Sequence, residues 1–219
     1  MKLLNFNRVL CLSPHPDDVE YSMSGTILKC RDTIFDIVCL SNGGDCDTTS
    51  GISRLSEVES FWGSTLGNTN VNLYFSNNKF LRERKEEEWV NWIETKFLKE
   101  ISYDCIFTTS AIDSHFEHQL INRLGHALTR GIWPNRKNLG PPSLIEYKSP
   151  STLNEWNSTF QFVIEDTYDD KIMRLRSFKS QLHHTYFDEK VLKAFHTDFQ
   201  SYKKGMYRLE EFKIKNLYQ

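Results

Sequence analysis

RVLCLSPHPDDVEYSMSGTILK, residues 8–29, passes from an apolar run through a polar turn into an amphipathic stretch. RVLCLS (8–13) reads as a strand, and a helix follows through about residue 30. The same alternation recurs. IFDIVCL (34–40) reads as a second strand with ISRLSEVESFWGSTLG (52–67) as its helix, and VNLYF (71–75) as a third. In KEEEWVNWIETKFLKEI (85–101), Trp89, Ile93, Phe97 and Ile101 recur every four residues, which puts one apolar stripe against a sheet. DCIFTTS (104–110) is a fourth strand, with a helix from near Ser114 behind it. Strand and helix in strict succession predict βαβ units.

The pattern then changes. NRKNLGPPSLIEYKSP (135–150) and FQFVIED (160–166) carry turn signals and two short strands, followed by a helix over about 168–181, another from about Glu189, and a terminal RLEEFKI (208–214). The expected fold is α/β: a three-layer, Rossmann-like sandwich, mostly parallel, with a mixed C-terminal part. With no repeat, linker or low-complexity tract, residues 1–219 read as a single domain.

The bulk numbers narrow the partners. A net charge of −2 and 39% hydrophobic residues give no basic footprint for nucleic acid and enough apolar matter for one core. No window supports a membrane span or a signal peptide. Five cysteines, an odd number without a C-x-x-C pair, favour a reducing, cytoplasmic setting, in which the Asn157 sequon is chance. A small molecule or glycan is the expected partner, and a homo-oligomer is possible.

In an open α/β sheet, ligands bind at the carboxyl ends of the strands. SPHPDD, SNGGDCDTTSG and SAIDSHFEH occupy three such ends. If the fourth strand's helix begins at Asp113 or Ser114, His115 and His118, at i and i+3, share a face of its first turn. His15, Asp18 and one of these histidines would then form a His/His/carboxylate set with an open position, the donor set of catalytic zinc. Other divalent ions are possible. The doubled aspartate has its own logic: one carboxylate can face the metal while its neighbour takes a proton from the attacking water.

PHPDD, the small pair Ser24-Gly25 and the later HFEH together resemble the zinc-dependent carbohydrate N-deacetylases of the PIG-L/LmbE family. RLSEVESFWGSTLG, like the family's Arg-x-x-Glu helix, and KSQ (179–181) extend the likeness to roughly residues 8–185. The resemblance implies a hydrolase that removes acetyl from an N-acetylated amino sugar. It implies that His15, Asp18 and His118 hold Zn2+, that Asp17 is the general base, and that His115 is the protonated partner of the tetrahedral intermediate and donates to the leaving amine. Arg54 matches the substrate-facing arginine. Asp113 is placed with it beside the substrate, either holding the His115 imidazole by a hydrogen bond or capping the helix. The chain departs from the family at Val19-Glu20, at Phe116-Glu117 where Pro-Asp is usual, and at Phe178 where His is common. A metallo-phosphoesterase and a non-catalytic sugar-binding relative are the alternatives.

The remaining histidines read differently. His183 and His184 are expected to point apart as solvated or capping residues. His126 lies about 12 Å along the helix from His118, so it is expected in the core or a substrate tunnel. Asp45 and Asp47 read as turn residues, and the segments 75–84 and 133–147 as the determinants of specificity.

Overall fold

The computed structural model describes residues 1–44, 54–63, 70–130, 141–197 and 207–218. Asp45, Cys46, Asp47, the Leu66-Gly67 end of the second helix and Trp133 lie outside these.

Seven strands form one sheet: β1 (Arg8–Ser13), β2 (Ile34–Cys39), β3 (Val71–Phe75), β4 (Cys105–Thr109), β5 (Ser143–Tyr147), β6 (Phe160–Val163) and β7 (Leu209–Asn216). Their spatial order is β3-β2-β1-β4-β5-β7-β6. β1 to β5 are mutually parallel, and β7 runs antiparallel to both β5 and β6. This is the mixed sheet expected from the sequence. The helices are α1 (Asp18–Lys29), α2 (Arg54–Trp62), α3 (Glu86–Ile93), α4 (Phe116–Leu128), α5 (Tyr168–Leu175) and α6 (Glu189–Phe195).

β1 shows why the sandwich has three layers. Val9 and Cys11 point into one apolar cluster with Phe35, Ile37, Phe107 and α1, while Leu10 and Leu12 point into another with Trp89, Ile93 and Ile121. A strand buried on both faces must be apolar at successive positions, which is the pattern RVLCL supplies. Truncating Phe107 to Ala in such a centre would cost about 3–5 kcal/mol. The stripe in residues 85–101 is also borne out: Trp89, Ile93 and Phe97 are buried, although α3 passes after Ile93 into a π-helical turn over Glu94–Leu98.

After β1 the chain moves outward to β2 and β3, then returns to place β4 on the other side of β1. Such a reversal opens a crevice at the carboxyl ends of the two flanking strands. The loop of residues 14–17 leaves β1 there, and that of residues 110–115 leaves β4.

α1, whose first residue is Asp18, is anchored in mid-length by a buried ion pair. Glu210 accepts from the amides of Gly25 and Thr26 at 2.9 and 2.7 Å. Lys171 donates to Glu210 at 2.6 Å and to the Tyr21 carbonyl. Both side chains are fully buried. A Cβ at Gly25 would fall 2.8 Å from Ile164 Cδ1 and 3.0 Å from Glu210 Oε1, so a larger residue there would have to displace the Ile164 and Glu210 side chains.

Candidate active site

Each site side chain is aimed by a local backbone feature. In the β1 loop, Asp18 folds back so that its Oδ2 accepts from the His15 amide at 2.9 Å and faces His15 Nδ1 at 3.1 Å. Asp17, at the N-cap of α1, has φ of 116° and makes no side-chain cap bond. For a non-glycine residue that backbone costs roughly 1–3 kcal/mol, a strain that persists only where the surroundings enforce it. The distortion lets two consecutive carboxylates face the same cavity.

Arg54 supplies much of the enforcement. Its Nη2 donates to the Pro16 carbonyl at 2.7 Å and to Asp17 Oδ1 at 2.9 Å, and its Nη1 reaches the Gly43 carbonyl at 3.4 Å. Gly43 has φ of +81°, and a Cβ there would meet Arg54 Nη1 at 2.0 Å, so glycine is required on both counts. Arg54 is part of the cavity lining, and its guanidinium grips Asp17.

In the β4 loop the helix starts later than the sequence suggested. His115 is the N-cap, in extended backbone at φ −87° and ψ 121°, and its Nδ1 accepts from the Glu117 amide at 3.2 Å. The proton of a neutral His115 ring is therefore on Nε2. The cause is Asp113, whose Oδ1 takes the His115 amide at 2.9 Å and holds it out of the helix. His115 and His118 still meet, with ring centroids 4.7 Å apart, and His15 lies 4.9 and 5.4 Å from them. His118 Nε2 is 3.2 Å from Asp18 Oδ1.

Asp113 is buried behind His118 and away from the cavity lining, which corrects its expected place beside the substrate. Its Oδ2 lies 3.1 Å from His118 Nδ1, so it addresses that ring and not the His115 ring. Ser149 and Ser151 donate to the same carboxylate at 2.5 and 2.7 Å. With every oxygen engaged, it has no face to offer a ligand.

Charge in this cluster is strongly coupled. Burial lowers the His15 pKa, but hydrogen bonds to Asp18 and Glu117 outweigh it and raise the imidazole to about 9. His118 is likewise lowered by burial and raised by Asp18 and Asp113, to about 10. Burial would raise Asp18, yet His118 and His15 hold it well below the usual carboxylate range. Asp17 goes the other way: burial, with Asp18 alongside, lifts it to about 7 against the pull of Arg54. His115 is lowered by burial and by its two cationic neighbours.

His15, Asp18 and His118 present three ligand atoms within 4.8 Å of one another. Two imidazoles and one carboxylate within that span match a zinc-type donor set by chemistry and by spacing. The three residues sit with Asp17 and His115 on the wall of a cavity of about 1040 Å³, whose other lining includes Phe80, Arg82, Phe116, Gln181 and Tyr186. Phe116, 83% exposed, stands at its mouth.

The sequence reading missed Glu117 as a member of the cluster. Its Oε2 lies 2.5 Å from His15 Nε2, and it forms a second group of close donors with His15 and His115. A carboxylate flanked by two candidate histidines was the available signal. Gln181, from KSQ, is buried in the cavity wall and accepts from the Tyr186 hydroxyl at 3.1 Å. Glu57 accepts from the Ser180 amide at 2.8 Å, which fixes that segment to α2. Two other expectations are corrected. His183 is exposed, as expected, but the two side chains do not diverge, since their rings lie 4.0 Å apart and His184 stacks on Tyr186. His126 is on the outer face of α4 with its side chain 44% exposed, neither in the core nor in a tunnel.

Known proteins share this architecture. The chain aligns at a TM-score of 0.75 and 22% identity with an N,N'-diacetylchitobiose deacetylase from Pyrococcus horikoshii, over 97% of this chain and 85% of that one. GalB, a 4-carboxy-2-hydroxymuconate hydratase from Pseudomonas putida, gives 0.73 and 13%, over 97% and 98%. A zinc-inhibited form of the teicoplanin deacetylase Orf2 gives 0.61 and 13%, over 87% and 91%. At these identities the likeness establishes the fold. No curated protein matches the sequence. The family model described as PIG-L, GlcNAc-PI de-N-acetylase, matches residues 10–129. That match spans more than half the chain, including both loops of the site, and so the chain belongs to the PIG-L family.

Proposed function

We propose that this protein is a metal-dependent hydrolase that removes the N-acetyl group of an N-acetylated amino sugar, free, nucleotide-linked or within a glycoconjugate. The observation that carries the reading is the His15/Asp18/His118 tripod beside a non-ligating carboxylate, Asp17, in one cavity. The family match and the deacetylases among the structural neighbours support it. Zn2+ is the ion we favour, held by His15, Asp18 and His118. Bound there, it would supply Lewis acidity to the acetamide carbonyl and lower the pKa of water toward roughly 7.

The chain's own groups divide the proton work. Asp17, anchored through Oδ1 by Arg54, keeps Oδ2 for the attacking water, and a carboxyl poised near 7 suits a general base at neutral pH. His115 carries its proton on Nε2 and donates it as a hydrogen bond to the developing oxyanion, while the proton that Asp17 takes from water passes to the departing nitrogen. Arg54 acts on the substrate side as well as on Asp17. Phe116, Tyr186 and Phe80 supply aromatic surface on which a sugar ring can lie. Four buried thiols that form no disulfide among the described residues fit a cytoplasmic setting. No helix is long and apolar enough to cross a membrane among the described residues.

Acetate release from N-acetylglucosamine derivatives by zinc-loaded protein tests the reading. Asp17→Asn should retain zinc and the fold while losing roughly 10²–10⁴-fold in kcat. Wild-type turnover in that variant would remove Asp17 from the mechanism. Glycan binding without acetate release at any metal loading would favour the sugar-binding alternative, and two bound ions with phosphate-ester turnover the phosphoesterase.

A further inference from the structure

The two histidines of the tripod are built alike in a way that neither the family match nor the neighbours assign. Each gives one ring nitrogen to Asp18: His15 Nδ1 at 3.1 Å from Oδ2, and His118 Nε2 at 3.2 Å from Oδ1. Each gives the other to a carboxylate on the far side: His15 Nε2 to Glu117 at 2.5 Å, and His118 Nδ1 to Asp113 at 3.1 Å. The arrangement is a chain of five groups, Glu117–His15–Asp18–His118–Asp113, with the inward nitrogens at its centre. Both ends are fastened. Glu117 Oε1 accepts from the Leu81 amide at 3.3 Å, and Asp113 is held by Ser149, Ser151 and the His115 amide.

Resting on the reading that the tripod holds a divalent ion, we propose that Glu117 and Asp113 are its positioning carboxylates. Each accepts the outward N–H of one ligand histidine, which fixes His15 as an Nδ1 ligand and His118 as an Nε2 ligand and makes both imidazoles better donors. A ring that can offer either nitrogen in either orientation must be sorted before it binds, and an anionic acceptor on one side does the sorting. The two ends differ in kind. Asp113 is buried among hydroxyls, whereas Glu117 is half-buried at the cavity and tied to the turn that carries Phe80 and Arg82. Through Glu117 the ion is connected to the wall against which substrate would rest.

The test is metal affinity, measured by competition with a chromophoric chelator, with Co2+ absorption as a report on ligand geometry. Wild type should bind one Zn2+ per chain. Glu117→Gln and Glu117→Ala should each weaken zinc roughly 10–100-fold, and alter the Co2+ spectrum, while the metal-free protein stays cooperatively folded. Asp113→Asn should do the same; because its neighbours also depend on it, the Glu117 pair decides if that variant fails to fold. Zinc affinity within twofold of wild type in both Glu117 variants would overturn the proposal while leaving the metal reading intact. So would a second ion per chain that disappears in Glu117→Ala, since Glu117 would then be a ligand. Wild type that binds neither Zn2+ nor Co2+ would bring down the metal reading itself, and this proposal with it.

Discussion

Two of the charged clusters that the protein buries are opposites. Lys171 and Glu210 are enclosed in the packing between α1, α5 and β7, and their polar atoms are spent on each other and on the backbone of α1. The site cluster stacks two histidines against three carboxylates, opens on a cavity, and satisfies its charges largely by sharing protons between rings and acids. Burial of charge is common to both and therefore does not identify a site. What separates them is whether the partners could exchange their protons for something else. A lysine locked to a carboxylate and a carbonyl cannot, whereas two imidazoles facing one carboxylate can.

The largest effect that would test this contrast is on stability. Lys171→Met leaves Glu210 an unpaired buried carboxylate, and breaking such a pair costs about 3–5 kcal/mol. The urea midpoint of the metal-free protein should fall accordingly while zinc affinity in the folded range stays unchanged. A loss of zinc affinity without loss of stability would mean that the two clusters are not independent.

Next comes the pH dependence of the metal-free chain. His15 and His118 have folded pKa values raised to about 9 and about 10, above the unfolded value near 6.5. Stabilisation from such groups is complete below about pH 6.5 and is lost as pH climbs through the folded values. The urea midpoint should therefore decline between about pH 6.5 and 10, and saturating zinc should abolish the decline because bound ligands are deprotonated. A flat profile without metal would break the picture of protons shared in the site.

Smaller effects sharpen the division of labour inside the cavity. Arg54→Lys keeps the charge but loses the planar fork that spans Pro16 and Asp17. If aiming Asp17 dominates, kcat should fall roughly tenfold with KM nearly constant; a rise in KM alone would instead return Arg54 to pure substrate binding. Phe116→Ala, at the mouth, should cost about 1 kcal/mol, visible as a few-fold rise in KM with kcat kept.

The fold was largely legible because β1 to β4 are short apolar runs, each followed by a helical stretch, and burial on both faces leaves little ambiguity. The neighbourhood of His15, Asp18 and one of His115 or His118 was legible too, since the loops after β1 and β4 are brought together by the parallel order, and the family resemblance singled out His118. What sequence could not convey was direction. Asp113 was placed beside the substrate because it is two residues from His115, but an Asx-type bond to the His115 amide turns its other oxygen to His118. Glu117 read only as a departure from the family's usual Asp, and only the side-chain path reveals it at His15. His126 has the right helical phase to be buried, yet the stripe of α4 that packs on the sheet is narrower than that phase suggests.

The clamp on α1 has a consequence for how the molecule comes together. Gly25 and Glu210 are separated by 185 positions, yet the middle of the helix that begins with a site residue is held by that distant acid. A growing chain presents α1 early and must wait for α5 and β7 before its amides find their acceptor. Contacts this far apart are slow to form. The helix behind the cleft thus depends on one of the last pairings in the sheet, and a chain halted before β7 would carry PHPDD at the head of a helix not yet clamped at its middle.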